Sequence, residues 1–213
     1  MASAPPLETI NKSGQMLGRK GLGTRLRIID ATERLLDEAR GLPPSLLAIA
    51  REAKISSPTF YLYFKGVPDA VFATVERIAE RLTPVRDLLD RPWNSANAYD
   101  HALEFIEAFF AYWSANSGVL RARNRLADEG NEQFVQSRLH SVDALSSRLA
   151  AKFRPATVRG EIVASPDELA GALLTSIERI ATITVLDLYP GKARDLDAAK
   201  RALAYQLSLL IGE

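Results

Sequence analysis

The chain has 213 residues, 47% of them hydrophobic and 25% charged, the balance of a globular protein with one sizeable core or two small ones. The absence of cysteine excludes a disulfide framework, a thiolate zinc site and a cysteine nucleophile, and His101 and His140 lie too far apart to suggest a metal site. The net charge of +1 divides unevenly: residues 1–66 carry ten Lys/Arg against six Asp/Glu, a net +4, while the remainder is net −3, and a basic front suits a polyanion.

The first 23 residues, rich in Gly, Pro and Ser with a basic pair at Arg19 and Lys20, are expected to form a disordered arm. They lack the apolar run of a signal peptide, and nowhere do 18 uncharged apolar residues follow one another. No membrane span is therefore expected, and the cytoplasm is the expected location. Thr24 predicts a helix start. Ile28, Ala31, Leu35 and Ala39 then recur at spacings of three and four, Ile29 and Leu36 widen the stripe, and Gly41 is the expected stop. After Leu42-Pro43-Pro44, Ser45 can cap a short second helix that turns Leu46, Ile49, Ala50 and Ala53 inward. Lys54-Ile55-Ser56 is a tight break. Ser57 is then expected to cap a third helix with Pro58 at its first position, where a missing N–H costs nothing.

A fourth helix is expected from about Pro68, kinked or ended near Leu82 by Pro84, with a loop at Asp90-Arg91-Pro92. The next, about Asn97 to Asn116, is rich in apolar and aromatic residues. A short helix from Gly118 to about Glu129 precedes a longer one from Asn131 to about Phe153, and residues 155–164 read as a loop. Ser165-Pro166-Asp167-Glu168 is a capping box with proline at the first helical position. That helix is expected to run through Leu173, Ile177, Ile180 and Thr184 to Tyr189, broken by Pro190-Gly191. A last helix holds Leu196, Ala199, Leu203, Leu207 and Leu210. Nothing alternates as a strand does, so the expected fold class is all-α.

Short helices joined by a tight turn, the second capped by hydroxyls, make a helix-turn-helix. Phe60 and Phe64 are four apart and share the face that is buried. Ser57, Thr59 and Tyr63 are expected to point away toward base edges, with Tyr61 to one side for a phosphate oxygen and Lys65 at the end. Hydroxyls and a lysine around a helix start suit a phosphate backbone, because free N–H groups there add positive potential.

The run Ser45 to Phe72, SLLAIAREAKISSPTFYLYFKGVPDAVF, resembles the DNA-binding signature of the tetracycline-repressor (TetR) family. The matching residues are Ser45, Ile49-Ala50, Ile55-Ser56, Thr59-Phe60-Tyr61 and Phe64-Lys65, and the helix before them fits as well. The likeness covers residues 24–75 in motif detail and, beyond that, only length, helix count and helix order. Lys54 stands where the family often has glycine, and a lysine at φ > 0 costs roughly 1 kcal/mol. Pro58 also replaces a frequent glycine, and Leu62-Tyr63 replaces a commonly polar pair.

The resemblance implies a helix-turn-helix domain over 24–66 followed by a helical effector-binding and dimerisation domain over 67–213. The DNA-contacting set is then Ser45, Lys54, Ser57, Pro58, Thr59, Tyr61, Tyr63 and Lys65. Arg19, Lys20 and Arg25 read either as an arm toward DNA or as a solvated tail. Phe105, Phe109 and Trp113 read as the lining of a ligand cavity or as plain core, and Phe134 as its completion. Arg121 and Arg125, one turn apart, either receive an anionic group or pair with Asp128 and Glu129 on a solvated face. Leu173, Ile177, Ile180, Leu196, Leu203, Leu207 and Leu210 are the expected dimer contacts, the alternative being packing within one chain.

No catalytic constellation stands out, and Gly18 to Gly23 follows no strand, so it is not a phosphate-binding loop. The expectation is a homodimeric repressor on a palindromic double-stranded operator, released by a small hydrophobic effector, with no cofactor or metal. The alternative is a helical-bundle enzyme or carrier of a lipid-like molecule with a vestigial DNA-binding head.

Overall fold

The computed structural model describes residues 15–185 and 195–212. Its elements, in chain order, are α1 (Arg19–Glu38), α2 (Leu46–Glu52), α3 (Ser57–Tyr63), α4 (Val67–Ala79), α5 (Thr83–Asp90), α6 (Ala98–Ala115), α7 (Ser117–Asp128), α8 (Glu132–Ala150), the hairpin strands β1 (Ala156–Val158) and β2 (Glu161–Ala164), α9 (Pro166–Val185) and α10 (Leu196–Ser208). They form two compact units. One takes the chain up to Glu80 and Asn116–Gln136; the other takes Arg81–Ala115 and Ser137–Glu213. The unit that holds the helix-turn-helix therefore also contains α4 and α7.

In the first unit α1 begins at Arg19, ahead of the start expected at Thr24. Thr24 is not a cap. It lies inside the helix, where its hydroxyl donates to the Lys20 carbonyl at 3.2 Å. Gly21 and Gly23 each cost about 1 kcal/mol in a helix, which is why this turn reads as irregular in sequence. Residues 19–23, expected in a disordered arm, are thus helical.

The other end of α1 also differs from expectation. Arg40, with φ 50°, is the first left-handed residue, and Gly41 follows at φ 84°. The Arg40 N–H donates to the Asp37 carbonyl and the Gly41 N–H to the Leu36 carbonyl, the paired bonds of a Schellman ending. Gly41 is needed for closeness as well as conformation: a Cβ there would lie 2.6 Å from the Cβ of Arg121 on α7.

Helix α4 packs on α1 and is pinned there by Arg77, whose guanidinium reaches Asp30 and Glu33. Burial pulls the Arg77 pKa down, but the hydrogen bonds it donates to the Asp30 and Glu33 carboxylates, with their charges, outweigh it and hold the group above the ordinary arginine value. Phe134, in the first turn of α8, is fully buried and meets the Phe72 ring of α4 edge to face at 5.6 Å. After α4 a 3₁₀ turn, Glu80–Leu82, leads into α5, so Pro84 sits in the first turn of a new helix where its missing N–H is harmless.

The second unit is built around α6, which packs against α5, α9 and α10. Its apolar residues fall on nearly every face, the pattern of a central helix. The Ser165–Glu168 capping box forms as read. The Ser165 hydroxyl accepts from the Glu168 N–H at 3.3 Å, and the Ser165 N–H donates to the Glu168 carboxylate at 2.8 Å. That backbone hydrogen bond and the Ser165 hydroxyl hold the Glu168 carboxyl below its ordinary pKa.

Residues 155–164, expected as a loop, contain the antiparallel pair β1–β2. Arg159 (φ 53°) and Gly160 (φ 86°) are both left-handed, the requirement of a two-residue hairpin turn whose twist matches its strands. Three- and four-residue strands are too short for alternation to register in sequence, although Thr157, Val158, Ile162 and Val163 are all β-branched. The expected run of α9 to Tyr189 and the break at Pro190-Gly191 lie outside the described residues.

Among the described residues no helix is long and apolar enough to cross a membrane, and no group of three His, Cys, Asp or Glu side chains could hold a metal ion.

Candidate nucleic-acid interface

The three-helix head is organised by its core. Ile28, Ile29 and Ala31 of α1, Ile49 and Ala53 around α2, Phe60 and Phe64 of the α3 region, and Ala70 and Ala73 of α4 form one buried cluster. The Phe60 and Phe64 rings meet, tilted, at 5.6 Å on the face that their spacing dictates. Arg25 lies over the Phe64 ring at 4.2 Å and is 6% exposed, so it serves as a buried cation–π partner and not as part of an arm.

The turn between α2 and α3 is a second Schellman ending. The Lys54 N–H donates to the Arg51 carbonyl and the Ile55 N–H to the Ala50 carbonyl. Lys54 takes the left-handed position at φ 55°, so the turn keeps the conformation that glycine would favour despite the lysine. Its side chain is exposed.

Helix α3 starts one residue earlier than the sequence suggested. Ser56 is the cap: its hydroxyl accepts from the Thr59 N–H at 3.2 Å and shares a 2.8 Å hydrogen bond with the Thr59 hydroxyl. Ser57 is therefore the first helical residue and Pro58 the second. Part of the Thr59 hydroxyl's capacity is taken by the cap. Ser45 likewise caps α2, accepting from the Ala48 N–H at 3.2 Å while remaining exposed.

Tyr63 does not project away. It is half-buried against the core cluster, because a residue three after Phe60 flanks the buried face. The ridge that α3 offers to solvent is instead Pro58, Tyr61 and Leu62, with Tyr61 47% and Leu62 61% exposed. Phe64 is extended, ending the helix, and the Lys65 N–H donates to Asp69 at 2.9 Å, fixing the step into α4.

Of the cations on this head, Arg34 is paired with Glu52 at 2.7 Å. Arg51, Lys54 and Lys65 are exposed and have no ion pair among the described residues. Leu62 and Arg51, both exposed on this head, lie outside the set expected from the sequence. The signal for Leu62 was its position one turn after Pro58; the signal for Arg51 was its place one turn before Lys54.

The residues expected to meet an effector divide between the units. Phe105, Phe109 and Trp113 are buried in the second, with Phe105 and Phe109 in ring contact at 6.1 Å. Phe134, Arg121 and Arg125 belong to the first. Arg121 is half-buried and Arg125 exposed. Of the expected dimer contacts, Ile177, Leu203 and Leu207 are buried within their own chain, while Leu173, Ile180, Leu196 and Leu210 are partly exposed. The open surface of α10 and its C-cap is carried by Ala202, Tyr205 and Leu209, spaced to share one face.

Several solved structures share this fold. The fatty acid degradation regulator FadR from Bacillus halodurans is 15% identical, with a TM-score of 0.63 over 91% of this chain and 96% of that one. FadR from Bacillus subtilis, in complex with stearoyl-CoA, is 17% identical, with a TM-score of 0.62 over 86% and 97%. The ketosteroid transcriptional regulator KstR2 of Mycobacterium tuberculosis is 16% identical, with a TM-score of 0.56 over 93% and 98%. No curated protein matches the chain. The family model of the tetracyclin repressor-like C-terminal domain matches residues 85–206, more than half the sequence, and the chain belongs to that family.

Proposed function

We propose that this protein is a ligand-responsive, DNA-binding transcriptional regulator, a repressor that leaves a palindromic operator when a small hydrophobic effector binds. The carrying observation is the head itself. Two phenylalanines bury one side of α3, the opposite side presents Tyr61 and Leu62, and the same head exposes three cations that have no carboxylate partner among the described residues. In this reading Tyr61, Lys54, Lys65, Ser45 and Arg51 hold phosphates, and Pro58, Leu62, Ser57 and Thr59 face base edges. The FadR and KstR2 structures support it as regulators of like fold, one of them bound to an acyl thioester.

A single head makes few contacts, so the reading requires a homodimer whose heads meet half-sites about 34–36 Å apart or a multiple of that. The open α10 stripe is the surface proposed to meet the second copy. Effector binding would act through α4, which shares its unit with the head and is clasped by Arg77 and Phe134. The test is a gel shift on the DNA flanking the protein's own gene. Retardation that weakens steeply with salt and is lost in Tyr61→Phe with Lys65→Ala supports the reading; no retardation at low salt refutes it.

A further inference from the structure

We propose that Arg40, Arg121 and Arg125 form a binding site for a small oxyanion, the phosphate or carboxylate of a ligand, at the junction of α1 and α7. Arg121 and Arg125 are one helical turn apart on α7, so their side chains are neighbours. Arg40 stands next to Gly41 in the left-handed turn that ends α1. That turn is pressed so closely on α7 that a Cβ at Gly41 would lie 2.6 Å from the Arg121 Cβ. Burial, then the nearby charges of Arg125 and Arg40, push the Arg121 pKa down.

None of the three guanidinium groups has an ion-pair partner among the described residues, whereas Arg34, Arg77, Arg91, Arg148 and Arg201 each have one. The carbonyl ends of α1 and α7 offset the charges of Arg40 and Arg125, but Arg121 lies mid-helix and gains nothing from them. Guanidinium forks gathered without a carboxylate match the oxygens of a phosphate or carboxylate in geometry and charge. A small ligand fits better than operator DNA. Arg25, stacked on the end of the recognition segment, is fifteen residues back along α1, about 22 Å at 1.5 Å per residue.

The inference deepens the effector reading and rests on it for any effect on DNA; anion binding is measured independently. Full-length protein is heated in inorganic pyrophosphate and in chloride at equal ionic strength. The wild type is expected to melt several degrees higher in pyrophosphate. Arg121→Gln and Arg125→Gln should lose most of that rise, and Arg121→Gln in chloride should melt no lower than the wild type, because a repulsion has gone. An undiminished rise in both variants overturns the site. So does a salt slope of operator binding that falls by about one in Arg121→Gln, which would assign the cluster to DNA phosphate. Pyrophosphate binding that leaves operator affinity unchanged supports the site while refuting its role in DNA release.

Discussion

Gly118 lies directly against the backbone of Asp37. A Cβ added at residue 118 would stand 2.6 Å from both the Asp37 Cα and its nitrogen, and the Asp37 carboxylate accepts the Gly118 N–H at 3.2 Å. This contact joins the last turn of α1 to the first turn of α7, within the unit that carries the helix-turn-helix. Gly118→Ala must push backbone against backbone, which flexible side chains cannot relieve. A loss of about 1–3 kcal/mol of stability is expected, read as a lower urea midpoint. A midpoint equal to the wild type would show that the junction yields.

Lys54 occupies a left-handed position that glycine takes without strain. Lys54→Gly is expected to stabilise the fold by up to roughly 1 kcal/mol and, by removing a charge, to weaken DNA binding at low salt. Equal affinity in the two proteins would remove Lys54 from the phosphate set.

The cap of α3 distinguishes two adjacent serines. Ser56→Ala should cost about 1 kcal/mol, since the Thr59 N–H loses its acceptor. Ser57→Ala should leave the melting temperature nearly unchanged and show its effect, if it reads bases, in operator preference. The reverse order would place the cap where the sequence alone suggested.

On the exposed ridge of α3, Tyr61→Phe and Lys65→Ala are expected to weaken binding to all sequences alike, with Lys65→Ala lowering the salt slope by about one. Leu62 has no polar atom to offer a phosphate, so its natural target is a thymine methyl. Leu62→Ala should therefore relax preference at one base pair by about 1–3 kcal/mol, measurable by competition with single-substituted operators. Uniform weakening would place Leu62 outside base reading.

The two sides of α10 should fail differently. Tyr205 is 58% and Leu209 51% exposed, while Leu207 is fully buried. Tyr205→Glu with Leu209→Glu is expected to yield a folded monomer in sedimentation experiments. Leu207→Ala should instead lose about 2–5 kcal/mol of stability through the cavity left in its own unit. A double glutamate variant that remains dimeric would move the interface elsewhere.

How much of this was legible beforehand follows from the range of the forces involved. The all-helical class, the pairing of Phe60 with Phe64 and the Ser165–Glu168 capping box were readable because each is decided within about one helical turn, by spacing or side-chain oxygen. Where two neighbours compete for one local role, the sequence was ambiguous: Ser56 and Ser57 for the cap, Arg40 and Gly41 for the turn, Tyr63 and Leu62 for the exposed face. For the turn and the exposed face, packing made the choice. Tyr63 was drawn in by the core beside Phe60, and Gly41 was required where α7 comes too close for any side chain. The approach of Gly41 to Arg121, the contact of Asp37 with Gly118 and the burial of Arg25 under the Phe64 ring join residues up to 81 positions apart. No local rule reports such pairs, because the energy that brings them together belongs to apolar surface buried elsewhere in the unit.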